Sequence, residues 1–152
     1  MHIDDTDRRI LRHYLAEPGL PRADLAGRAG VTLATLSRRL ERLREMKVIR
    51  AERAVINWQR LGYEVEVMLR FTLDKTDPRA FDEFLVAARK VPDVLGIETF
   101  LGSVDVRLRV IARDMKHWTD IYRQRILTLP HIAEVDALML ISTIKDTGEL
   151  PL

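Results

Sequence analysis

An α+β protein is what this sequence predicts, with short helices over its first third and alternating strands and helices over the remainder. Three observations carry that expectation. Apolar residues recur every three or four positions as far as about residue 45, the period switches to two after Gly62, and Pro-Gly or lone Gly breaks separate the segments. The 152 residues are 47% hydrophobic and 32% charged, an ordinary globular composition with room for one domain or two small ones.

The first helix runs from Asp4 to Ala16, with acidic residues at its N-terminus and Ile10, Leu11, Tyr14 and Leu15 on one face, and Pro18-Gly19 ends it. From Leu20 to Ile49 the pattern is a helix, a tight turn at Gly30 and a second helix. In the first of these Leu25 and Ala29 face inward, and the small residues Ala26 and Gly27 allow a close helix–helix approach. Thr32 is a good N-cap for the second, whose Leu33, Leu36, Leu40 and Leu43 form one apolar stripe. Thr35, Arg38, Arg39 and Arg42 take the other face. This is the layout of a helix-turn-helix DNA reader, although on periodicity alone a solvated charged helix fits as well.

Charge separates those two readings. Residues 1–62 hold 13 Lys and Arg against 8 Asp and Glu, whereas residues 63–152 hold 12 against 15. The positive surplus therefore surrounds the proposed reader, and 12 of its 13 cations are Arg, whose planar fork grips a phosphate or a guanine edge in two bonds. Double-stranded DNA is the expected partner. Thr32, Ala34, Thr35, Arg38, Arg39 and Arg42 are the candidate contacts, joined by Arg22 and Arg28 toward phosphate; bracing of the helices by Arg39 through an acidic neighbour is the competing role.

Residues 50–62 have weak periodicity and are expected to form a short strand and hinge, with Trp58 packing at a domain boundary. A long strand follows, in which Tyr63, Val65, Val67, Leu69, Phe71 and Leu73 alternate with polar residues. Asp77-Pro78 opens a helix to about Lys90 with Phe81, Phe84, Leu85 and Ala88 inward. Two strands, Val94–Leu101 and Asp105–Ala112, flank Gly102-Ser103-Val104. A helix capped by Asp114 runs to about Leu129 with Trp118, Ile121, Tyr122 and Ile126 inward, and Ile132–Ile144 forms the last strand.

That order, β-α-β-β-α-β, is the ferredoxin-like split unit, which leaves one sheet face uncovered. On it the row Glu64, Glu66, Arg70 is expected beside Asp105, Arg107, Arg109, opposite charges facing one another. The face is either solvated or, with Met68, Met139 and Ile141 nearby, stacks on a second copy; a homodimer also suits a reader of two half-sites.

Absence of Cys excludes disulfides and thiolate chemistry, and His2, His13, His117 and His131 are scattered without metal-ligand spacing, so neither metal nor cofactor is expected. The acidic start MHIDDTDRR is unlike a signal peptide and the apolar run Ala137–Ile141 is too short to span a bilayer, so a cytoplasmic protein without membrane attachment is expected.

The chain resembles the Lrp/AsnC (leucine-responsive, feast/famine) transcriptional regulators. The resemblance rests on Asp4-x-x-Asp7-Arg8-Arg9-Ile10-Leu11, Leu25-Ala26, Gly30-Val31-Thr32, Arg38-Arg39-Leu40 through Leu43, and Val48-Ile49. It continues through Leu61-Gly62-Tyr63, Gly102-x-x-Asp105, Leu129-Pro130 and Lys145. It implies a winged-type helix-turn-helix domain at 1–49, a linker strand and hinge at 50–62, and a ferredoxin-like sensing and oligomerisation domain at 63–152. It further implies a homodimer, often assembled into higher even-numbered oligomers, and control of amino-acid or related metabolic genes in response to a small-molecule effector. An effector pocket is implied around Gly102, Ser103, Val104 and Asp105, with Ala137 early in the last strand. Ser103, Val104 and Ala137 depart from the residues usual in the family, which leaves Asp105 as the carboxylate for a ligand ammonium. Sirohaem decarboxylases resemble the same architecture, so an enzyme is one alternative; an effector-independent architectural DNA binder, or an interaction module with a vestigial reader, are the others.

Overall fold

The computed structural model describes residues 2–152, which group into two compact units: the residues up to Val55 together with Ile144–Leu152, and Ile56–Thr143. In the first unit α1 (Asp5–Ala16) begins in a capping box, the Asp7 N–H donating to Asp4 Oδ1 at 2.8 Å and the Asp4 N–H to Asp7 Oδ2 at 3.1 Å. Turn residue Gly30, at φ 64°, ends α2 (Arg22–Ala29), and Thr32 caps α3 (Leu33–Glu45). Ile10, Leu25, Ala26, Ala29, Leu36 and Leu40 close a small core among the three helices. Arg12 Nε donates to the Leu152 carbonyl at 2.9 Å, bringing the chain end onto α1.

Two expectations for these helices need correction. Leu33 is 51% exposed, because the core is closed by Leu36, Leu40 and Leu43 one turn on and nothing covers the first residue of α3. Gly27 is exposed, and a Cβ added there would meet nothing within 4 Å, so the close approach belongs to Ala26 and Ala29 alone. After α3, Lys47 adopts φ 57°, with its N–H donating to Arg44 and that of Val48 to Leu43, both at 2.9 Å. This is a Schellman termination with lysine where glycine is usual, at a cost of about 1 kcal/mol.

The second unit opens with a 3₁₀ turn, Trp58–Leu61, capped by the Asn57 side chain and ended by Gly62 at φ 88°. The short strand expected over 50–62 is absent among the described residues: 51–57 form no ladder. Then come β1 (Val65–Leu73), α4 (Ala80–Ala88), β2 (Val94–Thr99), β3 (Val106–Ala112), α5 (Met115–Ile121), whose last turn widens to a π-type turn over Tyr122–Ile126, and β4 (Ile132–Met139). The antiparallel sheet has the order β2-β3-β1-β4. Val67, Leu69, Phe71 and Leu73 of β1 pack with Phe84, Ala88, Trp118, Ile121 and Ile126, so both helices cover one sheet face. In α4 the inward stripe is Ala80, Phe84 and Ala88 at steps of four, which carries Phe81 to the flank at 38% exposure. The last strand stops at Met139 instead of Ile144.

Register reshapes the uncovered face. Arg70 lies opposite Arg107, like charge against like, and Met68 opposite Arg109. The balancing acids come from the outer strands: Glu98 of β2 pairs with Arg107 and Asp136 of β4 with Arg70, so one row across the sheet reads acid, base, base, acid. Glu66 reaches Arg109 only diagonally, at 4.0 Å. Leu138, opposite Met68, is the β4 apolar residue on this face; Met139 is opposite Val67 and falls on the helix-bearing side.

Candidate nucleic-acid interface and ligand cleft

Helix α3 divides its arginines between two tasks. Asp7 is fully buried, and its carboxylate accepts from Arg39 Nη1 at 2.9 Å and from Arg42 Nη2. Arg39 Nη1 also reaches Asp4 Oδ2 at 2.7 Å, and this guanidinium holds the Asp4 carboxyl at a pKa of about 2. Both arginines therefore tie α3 to the N-terminus of α1. Arg39 takes the bracing role weighed against DNA contact, and Arg42 shares it, which reading α3 as a two-faced helix missed. Buried Asp7 gave no periodic signal in the sequence, since its neighbours are polar. Arg44 pairs with Glu52. Among the described residues Arg38 is the arginine of α3 without an ion-pair partner, and it is exposed beside Ala34 and Ser37. The hydroxyls of Thr32 and Thr35 bond each other at 2.9 Å within the cap, so both are occupied by helix initiation. Exposed Arg22 has no ion-pair partner among the described residues, whereas Arg28 pairs with Glu17.

At the other unit, a cleft of about 530 Å³ is lined by Arg70, Thr72, Ser103, Val104, Glu134 and Asp136, with Val135 at its edge. It brings a guanidinium, two carboxylates and two hydroxyls together beside the β2–β3 turn, where Thr72 Oγ1 donates to the Ser103 carbonyl at 3.2 Å and Gly102 is exposed. Asp105 is turned away from it. Its buried carboxylate accepts from the Leu73 N–H at 2.9 Å and pairs with Lys75 at 2.7 Å. Burial raises its pKa, but those two partners outweigh burial and hold it below the ordinary value. Asp105 thus fixes the turn to β1, and Glu134 and Asp136 are the carboxylates that sequence spacing did not bring to the site. Ala137 pairs with Leu69 on the opposite side of the sheet, outside the cleft.

Residues 66–150 match the family model for the Lrp/AsnC ligand binding domain, and residues 3–50 match a winged helix-turn-helix DNA-binding model. The chain belongs to the Lrp/AsnC family. A proline dehydrogenase transcriptional activator of Rhodobacter capsulatus is 30% identical, over 86% of this chain and 85% of its own length. The crystal structure of an AsnC family transcriptional regulator from Agrobacterium tumefaciens superposes with a TM-score of 0.86 at 28% identity, covering 98% of this chain and 97% of that one. A Neisseria meningitidis transcriptional regulator solved with L-Met superposes at 0.90 with 22% identity, covering 99% and 97%.

As an Lrp/AsnC protein, this chain is a DNA-binding transcriptional regulator with a ligand-binding domain, and the enzyme alternative falls away because the family models and named relatives are regulators. No helix among the described residues is long and apolar enough to cross a membrane. Folding also gathers Asp77, Glu83 and His131, whose potential ligand atoms lie within 4.8 Å of one another although the sequence gave them no ligand spacing. His131 Nε2 meets Glu83 at 2.7 Å and Arg79 reaches Asp77 at 3.3 Å, so internal pairing accounts for the cluster.

Proposed function

We propose that this regulator binds operator DNA as a homodimer, reads it with the exposed strip of α3, and answers to an amino acid or related zwitterion held in the cleft beside the β2–β3 turn. One observation carries the reading: Asp4 and Asp7 take up Arg39 and Arg42, which leaves Arg38, with Ala34 beside it, as the cationic group α3 presents outward. Arg22 adds a phosphate contact; Thr32 and Thr35 act by holding the helix start. Arg38→Ala is expected to weaken binding to the selected operator by about 1–3 kcal/mol and to relax its sequence preference, whereas affinity and preference unchanged from wild type overturn the assignment.

The cleft supports the effector part of the proposal. Arg70, whose guanidinium is shared with Asp136, suits a carboxylate, Glu134 suits an ammonium, and Ser103 and Thr72 supply hydroxyls, which together match a zwitterion. The Neisseria regulator of the same fold was solved with L-Met. Metabolic genes, amino-acid genes foremost, are the proposed targets, as the proline dehydrogenase activator illustrates for a relative. The exposed apolar Leu138 on the open sheet face, flanked by charges already paired within the chain, favours stacking of two copies, with higher even-numbered assembly built from that dimer.

A further inference from the structure

We infer that α3 reads two specific base-edge features: Leu33 meets a thymine methyl, and Arg38 grips a guanine. This rests on the reading of α3 as the operator reader and names what that reader recognises.

Leu33, Leu36, Leu40 and Leu43 are the four leucines of α3. Three are buried in the helical unit, and Leu33 alone is half exposed, at the first residue after the Thr32 cap. It lies outside the small core that Leu36 and Leu40 help to close. Its exposed neighbours are Ala34, Ser37 and Arg38, so the leading part of the helix presents an apolar end, two small side chains and a cation in sequence. The N-terminal residues of a recognition helix are the ones that meet base edges in the major groove. Small side chains at Ala34 and Ser37 let the helix approach the base pairs closely.

The chemistry of the groove then selects the bases. The thymine 5-methyl is the one apolar group displayed on a base-pair edge there, and guanine O6 and N7 are the pair of acceptors that a guanidinium fork satisfies together. Arg38 is available for this because, unlike Arg39, Arg42 and Arg44, it has no ion-pair partner among the described residues. Each half-site therefore carries a thymine and a guanine.

The test uses the full-length protein and duplexes it selects from a random pool. In the selected duplex each thymine is replaced in turn by deoxyuridine, which removes only the methyl, and each guanine by 7-deazaguanine, which removes only N7. For wild type, one thymine per half-site is expected to lose about three- to fivefold in affinity on replacement, the worth of one methyl taken out of water. For Leu33→Ala that penalty disappears while thermal unfolding stays as in wild type. For Arg38→Ala the 7-deazaguanine penalty disappears at one guanine of the half-site. A deoxyuridine penalty in Leu33→Ala equal to wild type, or a thymine-free half-site, overturns the Leu33 assignment while leaving α3 as the reader. Arg38→Ala with unchanged affinity on every duplex overturns the reader itself.

Discussion

Asp7 is the residue on which the reader's geometry depends. It sits fully buried at the start of α1, takes Arg39 and Arg42 from α3, and returns a bond to the Asp4 N–H. Asp7→Ala leaves Arg39, only 22% exposed, without its inner partner, and breaking a largely buried pair from one side costs about 3 kcal/mol. Urea unfolding followed by helix circular dichroism is expected to show that loss. Asp4 makes the same brace sensitive to acid. Its pKa is lowered from 3.8 to about 2 by the hydrogen bond from Arg39, so the folded state binds this proton less readily than the unfolded one. The stabilisation is therefore fully present above about pH 4 and lost as pH falls toward 2. In Asp4→Asn this decline is expected to flatten in an acid-unfolding series, and an unchanged decline would assign the acid sensitivity to other carboxylates.

At the scale of the element, α3 and the sheet show how far periodicity reaches. The stripe Leu36, Leu40, Leu43 and the Thr32 cap were legible because a buried face and a helix start impose spacing and residue type. Leu33 and Arg42 were misplaced, since periodicity records angle around the axis and not whether a neighbour covers that point. In the sheet the buried row of β1 followed from alternation, but the cross-strand partners did not. Alternation fixes which face a residue takes and leaves open which residue it meets, so Arg70 faces Arg107 where opposite charges were expected. The cleft is a product of that register, with Arg70 brought beside Glu134, Asp136 and Ser103. Arg70→Ala is expected to weaken binding of an amino-acid effector by about tenfold or more, the worth of one charge-assisted bond. Calorimetry across the L-amino acids, first establishing which one binds wild type, checks this, and equal affinity in the variant would move the site elsewhere.

For the whole molecule, the two compact units divide the labour that the charge partition suggested, with arginine concentrated in the helical one. The tail 144–152 groups with the helices and not with the sheet whose last strand precedes it. Two copies of the acid-base-base-acid row stacked in register about a two-fold axis would set base against base, so the proposed dimer through the open sheet face has the two rows offset or crossed. Sedimentation at micromolar concentration is expected to give a dimer or an even multiple of it. A dimer that survives Arg70→Glu combined with Arg107→Glu, which reverse the central charges, would place the interface on another surface.

The sequence alone determined the α+β class, the order of elements outside residues 50–62, the capped amphipathic α3 and the family, because each is written in local spacing or in a contiguous run of residues. Tertiary structure alone decided which arginines of α3 are tied to α1, which carboxylates line the cleft, and that Asp105 serves the fold. Those outcomes depend on pairs distant in the chain, Asp7 with Arg42, Arg70 with Asp136 and Asp105 with Leu73. A buried charge is satisfied by whichever partner the folded backbone brings within reach, and no periodicity along the chain encodes that partner.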